Sequence, residues 1–203
     1  MTNNSNIIKT ICVYCGSADG VRKEFYQAAF QTGKLLADMK IDLVYGAGKT
    51  GLMGAVADGA LEAGGKVIGI VPKNLNEPQL IHANLTNLVV VKDIHLRKAK
   101  MSEMADAFIA LPGGYGTFDE LFETLTWAQI GLHKKPIGLL NTLKYYEPLL
   151  AMVNHALNEK FIYDEHKVLL VSDENPENLL GKLSNFKRPE NLNRWISREE
   201  MEV

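Results

Sequence analysis

One stretch of the sequence combines glycine, hydroxyl and carboxylate side chains in a pattern suited to catalysis: Pro112-Gly113-Gly114-Tyr115-Gly116-Thr117-Phe118-Asp119-Glu120. It follows an apolar run at residues 107–111 that predicts a buried strand, and it precedes residues 121–130, which predict a helix. Glycines between a strand and a helix let backbone N–H groups converge on an anion. We therefore predict that a small phosphorylated ligand binds here and is cleaved beside the carboxylates.

A structural role competes with this interpretation for two of the residues. Thr117-x-x-Glu120 matches a capping box, in which the glutamate bonds back to the start of its own helix. The motif alone leaves both roles open. The concentration of other candidate residues at the same helix start favours a functional role.

Two cations lie near the start of the preceding helix, predicted at residues 95–105. Arg97 and Lys98 are unfavourably placed there, because the N-terminal end of a helix dipole repels positive charge. They therefore either interact with a group outside the helix or lie on a solvated basic face.

A second glycine-rich segment, Gly46-x-Gly48-x-x-Gly51, fits the dinucleotide-binding fingerprint. The following strand ends in Val71-Pro72, however, and lacks the acidic residue that holds the ribose hydroxyls. Gly48-Lys49-Thr50 resembles the end of a P-loop, but position 43, where the motif needs glycine, is leucine. We favour a role in close packing of strand, helix and ligand, with a ligand sugar or base beside Gly46.

Cys12 and Cys15 have the C-x-x-C spacing, but they lie in or just after a predicted strand. Residues separated by an odd number along a strand point to opposite faces of the sheet. A buried structural role is therefore favoured over a redox pair, and two cysteines supply a zinc site poorly. We expect neither a metal nor a cofactor.

The composition is that of an ordinary soluble protein. The 203 residues are 46% hydrophobic and 23% charged, with a net charge of −2. The weak charge argues against a nucleic-acid partner, and no apolar stretch is long enough for a membrane span. The polar N-terminus has no signal-peptide core, so we expect a cytoplasmic protein.

Short apolar runs alternate with helical patterns along the chain. We predict strands at residues 7–14, 41–45, 66–71, 88–91, 107–111, 136–140 and 168–171 and helices at 23–39, 52–63, 95–105, 121–130, 146–158 and 176–185. This alternation predicts an α/β fold, a single Rossmann-like domain at residues 1–185 with a parallel sheet flanked by helices on both faces. The loops at 15–20, 46–51, 72–79 and 112–117 should share one crevice. A charged tail at 186–203 follows, in which Trp195 and Ile196 could dock on a partner subunit.

Two motifs together carry a resemblance to a known family: Arg97-Lys98-x-x-Met101 and Pro112-Gly113-Gly114-x-Gly116-Thr117-x-x-Glu120. They resemble the LOG ("Lonely Guy") family of cytokinin riboside 5′-monophosphate phosphoribohydrolases, which are often mislabelled as lysine decarboxylases. The resemblance runs from about residue 9 to about residue 160 and includes residues 13–17, 51–54, 135–141 and the pair Tyr145-Tyr146. It implies cleavage of a purine nucleoside 5′-monophosphate to free base and ribose 5-phosphate, by a protein that is typically a homodimer with sites near the subunit interface.

The resemblance also implies the site residues. Arg97 and Glu120 would be the catalytic pair. The expected substrate site, including residues of the loops that should share the crevice, comprises Gly16, Ser17, Gly46, Gln79, Lys98, Gly113, Gly114, Tyr115, Gly116, Thr117, Phe118, Asp119 and Thr126. The chain has Ala47 within a run that is often three glycines in the family, and Gln79 where a glutamate is usual. The lost charge at Gln79 favours the alternative of a non-catalytic nucleotide-binding protein.

The chemistry of the implied reaction suits these residues. Cleavage of an N-glycosidic bond passes through an oxocarbenium-like ribosyl cation. The Glu120 carboxylate can stabilise that charge and activate water, while Arg97 can bind the phosphate or stabilise the departing base. Lysine decarboxylation would need a lysine that forms a Schiff base with pyridoxal phosphate, and the sequence offers no clear context for one.

Overall fold

The computed structural model describes residues 7–189 and Leu192. Within these residues the strands are β1 (Thr10–Tyr14), β2 (Asp42–Tyr45), β3 (Val67–Pro72), β4 (Asn87–Val91), β5 (Ala107–Ala110), β6 (Ile137–Leu140) and β7 (Leu170–Asp173). They form one sheet in the order β4-β3-β2-β1-β5-β6-β7. Every pair of neighbouring strands is parallel.

Helices cover both faces of this sheet. In the described part of the chain they are α1 (Lys23–Asp38), α2 (Gly51–Glu62), α3 (Ile94–Met104), α4 (Tyr115–Gln129), α5 (Glu147–Asn158) and α6 (Pro176–Ser184). Apolar residues of α1, α2 and α6 pack on one face, and those of α3, α4 and α5 pack on the other. The predicted α/β fold with a doubly covered parallel sheet is confirmed.

The strand order reverses between β1 and β5. The chain runs outward from β1 through β2 and β3 to β4, and then returns to place β5 on the other side of β1. In an open parallel sheet, the loops on either side of such a switch point diverge and leave a crevice at the carboxyl ends of the strands. The loops that follow β1 and β5 border this crevice.

The two cysteines lie on opposite faces of the sheet, as predicted. Both are buried free thiols. Cys12 belongs to the core beneath α3, α4 and α5, whereas Cys15 belongs to the core beneath α1, α2 and α6. The strand geometry thus separates the C-x-x-C pair.

The largest error in the predicted elements is the start of α4. This helix begins at Tyr115 rather than at residue 121, and Gly114 is its N-cap, with φ −99° and ψ −150° and no side-chain capping bond. Thr117 therefore lies inside the first turn, and the capping-box alternative is wrong. Gly114 and Gly116 indicate a loop in sequence, but glycine is favourable as an N-cap, and one glycine in a helix costs only about 1 kcal/mol relative to alanine.

Two strands differ from the prediction by two residues or more, whereas the boundaries of the other strands differ by one residue at most. β1 begins at Thr10 rather than at residue 7. β7 is shifted from 168–171 to Leu170–Asp173 because Asp164–Leu169 forms a 3₁₀ helix.

Most of the predicted tail at 186–203 lies outside the described residues, as do Trp195 and Ile196. In the part of the chain that the structure describes, none of the helices has the length and hydropathy needed to cross a bilayer.

Candidate active site

A cavity of about 450 Å³ opens where the strand order reverses. Its volume is in the range of small-molecule sites, roughly 300–1,000 Å³. The cavity is lined by Cys15, Gly16, Ser17, Ala18, Val21, Phe25, Leu52, Met53, Arg97, Pro112, Gly113, Gly114, Tyr115, Gly116, Thr117, Glu120 and Tyr145. The loops after β1 and β5 thus share one crevice, as predicted.

The start of α4 presents unpaired backbone donors to this cavity. The first hydrogen bond of the helix runs from Phe118 N–H to Gly114 C=O at 3.0 Å. Within the described residues, the N–H groups of Tyr115, Gly116 and Thr117 have no partner. Together with the positive end of the helix dipole, these donors form a site suited to a phosphate.

The start of α2 differs, because the protein itself occupies its donors. Leu52 and Met53 both donate to Gly16 C=O, at 2.9 and 3.2 Å. Gly51 N–H donates to Asp19 Oδ1 at 2.9 Å. The second glycine-rich segment therefore serves close packing, as favoured from the sequence: a Cβ on Gly51 would lie 2.5 Å from the carbonyl carbon of Ser17.

Gly46 adjoins the site without lining the cavity. A Cβ at this position would collide with the Arg97 guanidinium. The neighbour of Gly46 is thus a side chain of the protein, and the missing side chain makes room for it.

Arg97 and Glu120 form a buried pair at the cavity wall. Their side chains are 11% and 8% exposed, and Arg97 Nη2 lies 3.4 Å from Glu120 Oε1. Arg97 Nε is buried and has no hydrogen-bond partner in the described part of the chain. The alternative of a solvated basic face is therefore wrong for Arg97, and also for Lys98, which is 8% exposed.

Burial changes the acidity of this glutamate. It raises the pKa of Glu120 to about 7, an effect that the nearby Arg97 charge opposes. A carboxyl group with this pKa has both protonation states populated near neutral pH. It can therefore accept or donate a proton during a reaction.

Lys98 does not line the cavity and joins α3 to α4. Its Nζ lies 3.0 Å from Asp119 Oδ2 and 3.1 Å from Glu123 Oε1. These carboxylates flank Glu120 along α4, so Lys98 holds the segment that carries Glu120 against the helix that carries Arg97. Asp119 is engaged by Lys98 and does not line the cavity.

Three other predicted site residues also lie outside the cavity of the single chain. Gln79 is exposed, in a segment that backbone bonds from Lys49 N–H to Leu80 C=O and from His82 N–H to Ala47 C=O fasten to the β2–α2 loop. No residue of the loops at 46–51 and 72–79 lines the cavity, so the prediction that four loops share one crevice is correct for two of them. Phe118 packs on the core beneath α4, and the exposed Thr126 donates its hydroxyl to Phe122 C=O at 2.7 Å.

Sequence reasoning missed the apolar wall of the cavity. Val21, Phe25, Leu52, Met53 and Tyr145 give the cavity an apolar side. Val21 and Phe25 have the pattern of ordinary core residues, so only the topology brings them to the site. Leu52, Met53 and Tyr145 carried a signal, because they belong to stretches that resemble the LOG family.

The fold and the cavity define a class of protein: a Rossmann-like α/β protein in which a helix start with unpaired N–H groups shares a cavity with a buried arginine–glutamate pair. In the described residues, no cluster of three or more His, Cys, Asp or Glu side chains is arranged to hold a metal ion.

Comparison with known proteins identifies the family. A family model described as possible lysine decarboxylase matches residues 53–183. The chain is 43% identical over 187 residues to cytokinin riboside 5′-monophosphate phosphoribohydrolase LOG7 of Arabidopsis thaliana. The aligned region covers 92% of this chain and 86% of LOG7. The chain is 44% identical over 178 residues to the enzyme LOG of Oryza sativa subsp. japonica, with 88% and 74% covered. The chain belongs to the LOG family, as its two motifs predict.

Solved structures share the fold at lower identity. The molybdenum cofactor binding protein from Rippkaea orientalis superimposes with a TM-score of 0.64 at 22% identity, covering 85% of this chain and 93% of that one. The molybdenum cofactor carrier protein of Chlamydomonas reinhardtii gives a TM-score of 0.62 at 23% identity, with 86% and 98% covered. At this identity the similarity concerns the fold alone.

Proposed function

We propose that the protein hydrolyses the N-glycosidic bond of purine or cytokinin riboside 5′-monophosphates, releasing the free base and ribose 5-phosphate. The observation that carries this proposal is the buried Arg97–Glu120 pair in one cavity with the unpaired N–H groups at the start of α4. The names of the LOG relatives, which are phosphoribohydrolases of cytokinin riboside 5′-monophosphates, support it.

The proposed reaction uses the two parts of the cavity for different steps. The 5′-phosphate binds the N–H groups of residues 115–117, which fixes the ribose beside Glu120. The bond between C1′ and the base nitrogen breaks, and its electron pair leaves with the base. The ionised Glu120 stabilises the ribosyl cation and takes a proton from the water that attacks C1′. That proton then passes through solvent to the departed base, which yields the neutral free base and restores the ionised Glu120. Arg97 stabilises negative charge of the substrate and favours ionised Glu120.

Two of the alternatives lose their support. Gln79, which favoured a non-catalytic binding protein, lies outside the cavity, so its missing charge does not weaken the lining. A lysine decarboxylase needs a lysine of lowered pKa to form a Schiff base. Burial lowers the pKa of Lys98, but its hydrogen bonds to Asp119 and Glu123 outweigh burial and leave the pKa raised. Burial does lower the pKa of Lys135, but neither Lys135 nor any other lysine of the described residues lines the cavity.

A chromatographic assay for released base tests the proposal. The protein is incubated separately with AMP, GMP, CMP and a cytokinin riboside monophosphate. We expect base from the purine substrates, with CMP cleaved least. Binding of these nucleotides without release of base would instead establish the non-catalytic alternative.

We extend the proposal to the organisation of the protein: a cytoplasmic homodimer whose residues 1–185 form the hydrolase domain. Exposed apolar side chains on the edge strand β4 and on α3 support a second copy as partner: Leu88, Val90, Ile94 and Leu96. Light scattering during size-exclusion chromatography tests this, and a fully active monomer would refute it.

A further inference from the structure

Two adjacent tyrosines hold the backbone of the anion loop, which we define as residues 111–114. The Tyr145 hydroxyl donates to Gly113 C=O at 2.6 Å. The Tyr146 hydroxyl donates to Leu111 C=O at the same distance, 2.6 Å. Tyr146 is 1% exposed, whereas Tyr145 is 37% exposed and lines the cavity.

The carbonyl between these two is also held. Pro112 C=O accepts a hydrogen bond from Gly16 N–H at 3.0 Å. Three successive carbonyl groups of the anion loop therefore have donors from two distant parts of the chain, Gly16 and the pair Tyr145-Tyr146. The carbonyls of a loop rich in glycine would otherwise be free to rotate, because glycine restricts its backbone less than other residues do.

Holding a carbonyl also fixes the amide that follows it. In a trans peptide the C=O of one residue and the N–H of the next point in opposite directions within one plane. The bond from Tyr145 to Gly113 C=O therefore fixes the direction of Gly114 N–H, which has no partner in the described residues. The hydrogen bond from Gly16 fixes Gly113 N–H in the same way.

We propose that Tyr145 is a positioning residue for phosphate recognition: its hydroxyl, by holding Gly113 C=O, directs Gly114 N–H toward the phosphate of the substrate. The inference rests on the proposed function for the identity of the anion. Tyr146 holds the base of the same loop from within the core.

The turn that delivers the two tyrosines is strained, which supports a role beyond packing. Leu143 and Lys144 have φ values of 52° and 59°, in the left-handed region that side chains other than glycine rarely adopt. Buried Asn141 braces the turn by accepting from Tyr146 N–H at 2.7 Å and donating to Glu147 Oε1 at 2.8 Å. Strain of this kind persists where the surrounding structure imposes a particular geometry, often at a ligand site.

The test substitutes Tyr145→Phe, which removes the hydroxyl and keeps the ring that packs edge-on against Phe25. Calorimetric titration with inorganic phosphate and with ribose 5-phosphate measures the anion site without catalysis. We expect both affinities to fall about threefold to tenfold, the usual effect of one hydrogen bond. In the base-release assay the KM for the nucleotide should rise by a similar factor while kcat stays nearly constant, since uniform binding is lost.

A matched control is Tyr163→Phe. Tyr163 is 39% exposed and does not line the cavity, so its loss of a hydroxyl should change neither affinity. Circular dichroism verifies that both variants fold.

Two outcomes would overturn the proposal. Folded Tyr145→Phe with wild-type affinity for inorganic phosphate would show that the hydroxyl does not act through the loop. A raised KM with unchanged phosphate affinity would mean that Tyr145 touches the ribose or base directly. If the wild-type protein binds phosphate but releases no base from any nucleotide, the proposed function fails, and the phosphate titration still decides the role of Tyr145.

Discussion

The starts of α2 and α4 look alike in sequence but differ in what their backbone donors bind. Each follows a parallel strand, and each is rich in glycine. At α2 the donors of Gly51, Leu52 and Met53 are bound by groups of the β1–α1 loop. At α4 the donors of residues 115–117 face a cavity and have no partner in the described part of the chain. Glycine spacing therefore indicates a close approach without saying whether protein or ligand makes it.

The start of α2, which we call closed because the protein binds its donors, supports the start of α4, which we call open because its donors have no partner among the described residues. A single residue, Gly16, connects the two. Gly16 C=O accepts from Leu52 and Met53, and Gly16 N–H donates to Pro112 C=O of the anion loop. A Cβ on Gly16 would lie 3.2 Å from the Cα of Gly113, so the two loops pack backbone against backbone. The packing around α2 thus fixes the position of the anion loop, where we propose that the phosphate binds.

The largest expected effect comes from Glu120→Gln, which tests whether the open helix start is catalytic. The amide can neither accept a proton from water nor carry the negative charge that stabilises the ribosyl cation. We expect the base-release rate to fall by about 10²-fold or more. Affinity for ribose 5-phosphate should stay close to that of the wild type, as measured by titration.

Glu103→Gln is the control for this substitution. Its carboxylate is 69% exposed and pairs with Lys100 on α3. This variant should release base at nearly the wild-type rate. Full activity of Glu120→Gln would contradict the catalytic assignment.

Alanine at one glycine of each helix start directly tests the contrast between them. Gly51 has a φ of +60°, and its Cβ would overlap the Ser17–Ala18 backbone, so Gly51→Ala should cost about 2–4 kcal/mol of unfolding free energy. A Cβ on Gly116 meets nothing within 4 Å, so Gly116→Ala should leave stability equal or up to about 1 kcal/mol higher. The same methyl group faces the anion and should weaken phosphate binding about tenfold, or about 1.4 kcal/mol.

Chemical denaturation and phosphate titration provide the two measurements. The contrast fails if both variants lose stability equally. It also fails if Gly116→Ala binds phosphate as well as the wild type.

Much of the fold follows from local patterns in the sequence. Buried parallel strands produce continuous apolar runs, and helices produce their own period, so the alternation was readable along the chain. The start of α4 could not be predicted in this way, because glycines such as Gly114 and Gly116 occur both in loops and in the first turn of a helix. Only the position of Phe118, which bonds back to Gly114, distinguishes the two.

The candidate site was predictable where the residues belong to one stretch or to the shared motifs. Arg97 and Glu120 were identified in this way, but their burial and the raised pKa of Glu120 were not, since desolvation depends on every element packed around them. Gly46 and Lys98 were expected near the substrate, yet each contacts another side chain: Gly46 makes room for Arg97, and Lys98 binds carboxylates on α4. Membership in a shared motif indicates that a residue lies near the site, but it does not say whether the residue contacts the substrate or another side chain of the protein.

A smaller effect is expected on the pH dependence of the unfolding free energy, which tests how far burial raises the pKa of Glu120. The folded state raises the pKa of Glu120 to about 7, from 4.5, so it binds a proton more tightly than the unfolded state does. Stability from this group is therefore greatest below pH about 4.5 and declines as pH rises to about 7. The gain in stability on Glu120→Gln should be larger at pH 8 than at pH 5, by up to about 3 kcal/mol.

Denaturation of both proteins at these two pH values checks this prediction, because other titrating groups cancel in the difference. An equal effect at both values would show that Glu120 titrates normally. In the same range the rate of base release should rise with pH around a midpoint of about 7, since the mechanism uses the ionised carboxylate.

The smallest expected effect concerns the strained turn beside the open helix start. Lys144 has a φ of 59°, and glycine adopts this conformation without steric cost, so Lys144→Gly should raise the unfolding free energy by about 0.5–1 kcal/mol. Lys134→Gly is the matched control: Lys134 is exposed and its φ is not positive, so glycine there should only add freedom to the unfolded chain and lower stability. Thermal denaturation compares the two. If the strain serves to hold Tyr145 in place, phosphate affinity should fall in Lys144→Gly even though the fold becomes more stable. If affinity and stability rise together, the strain is incidental and the hydroxyl of Tyr145 alone maintains the geometry of the anion loop.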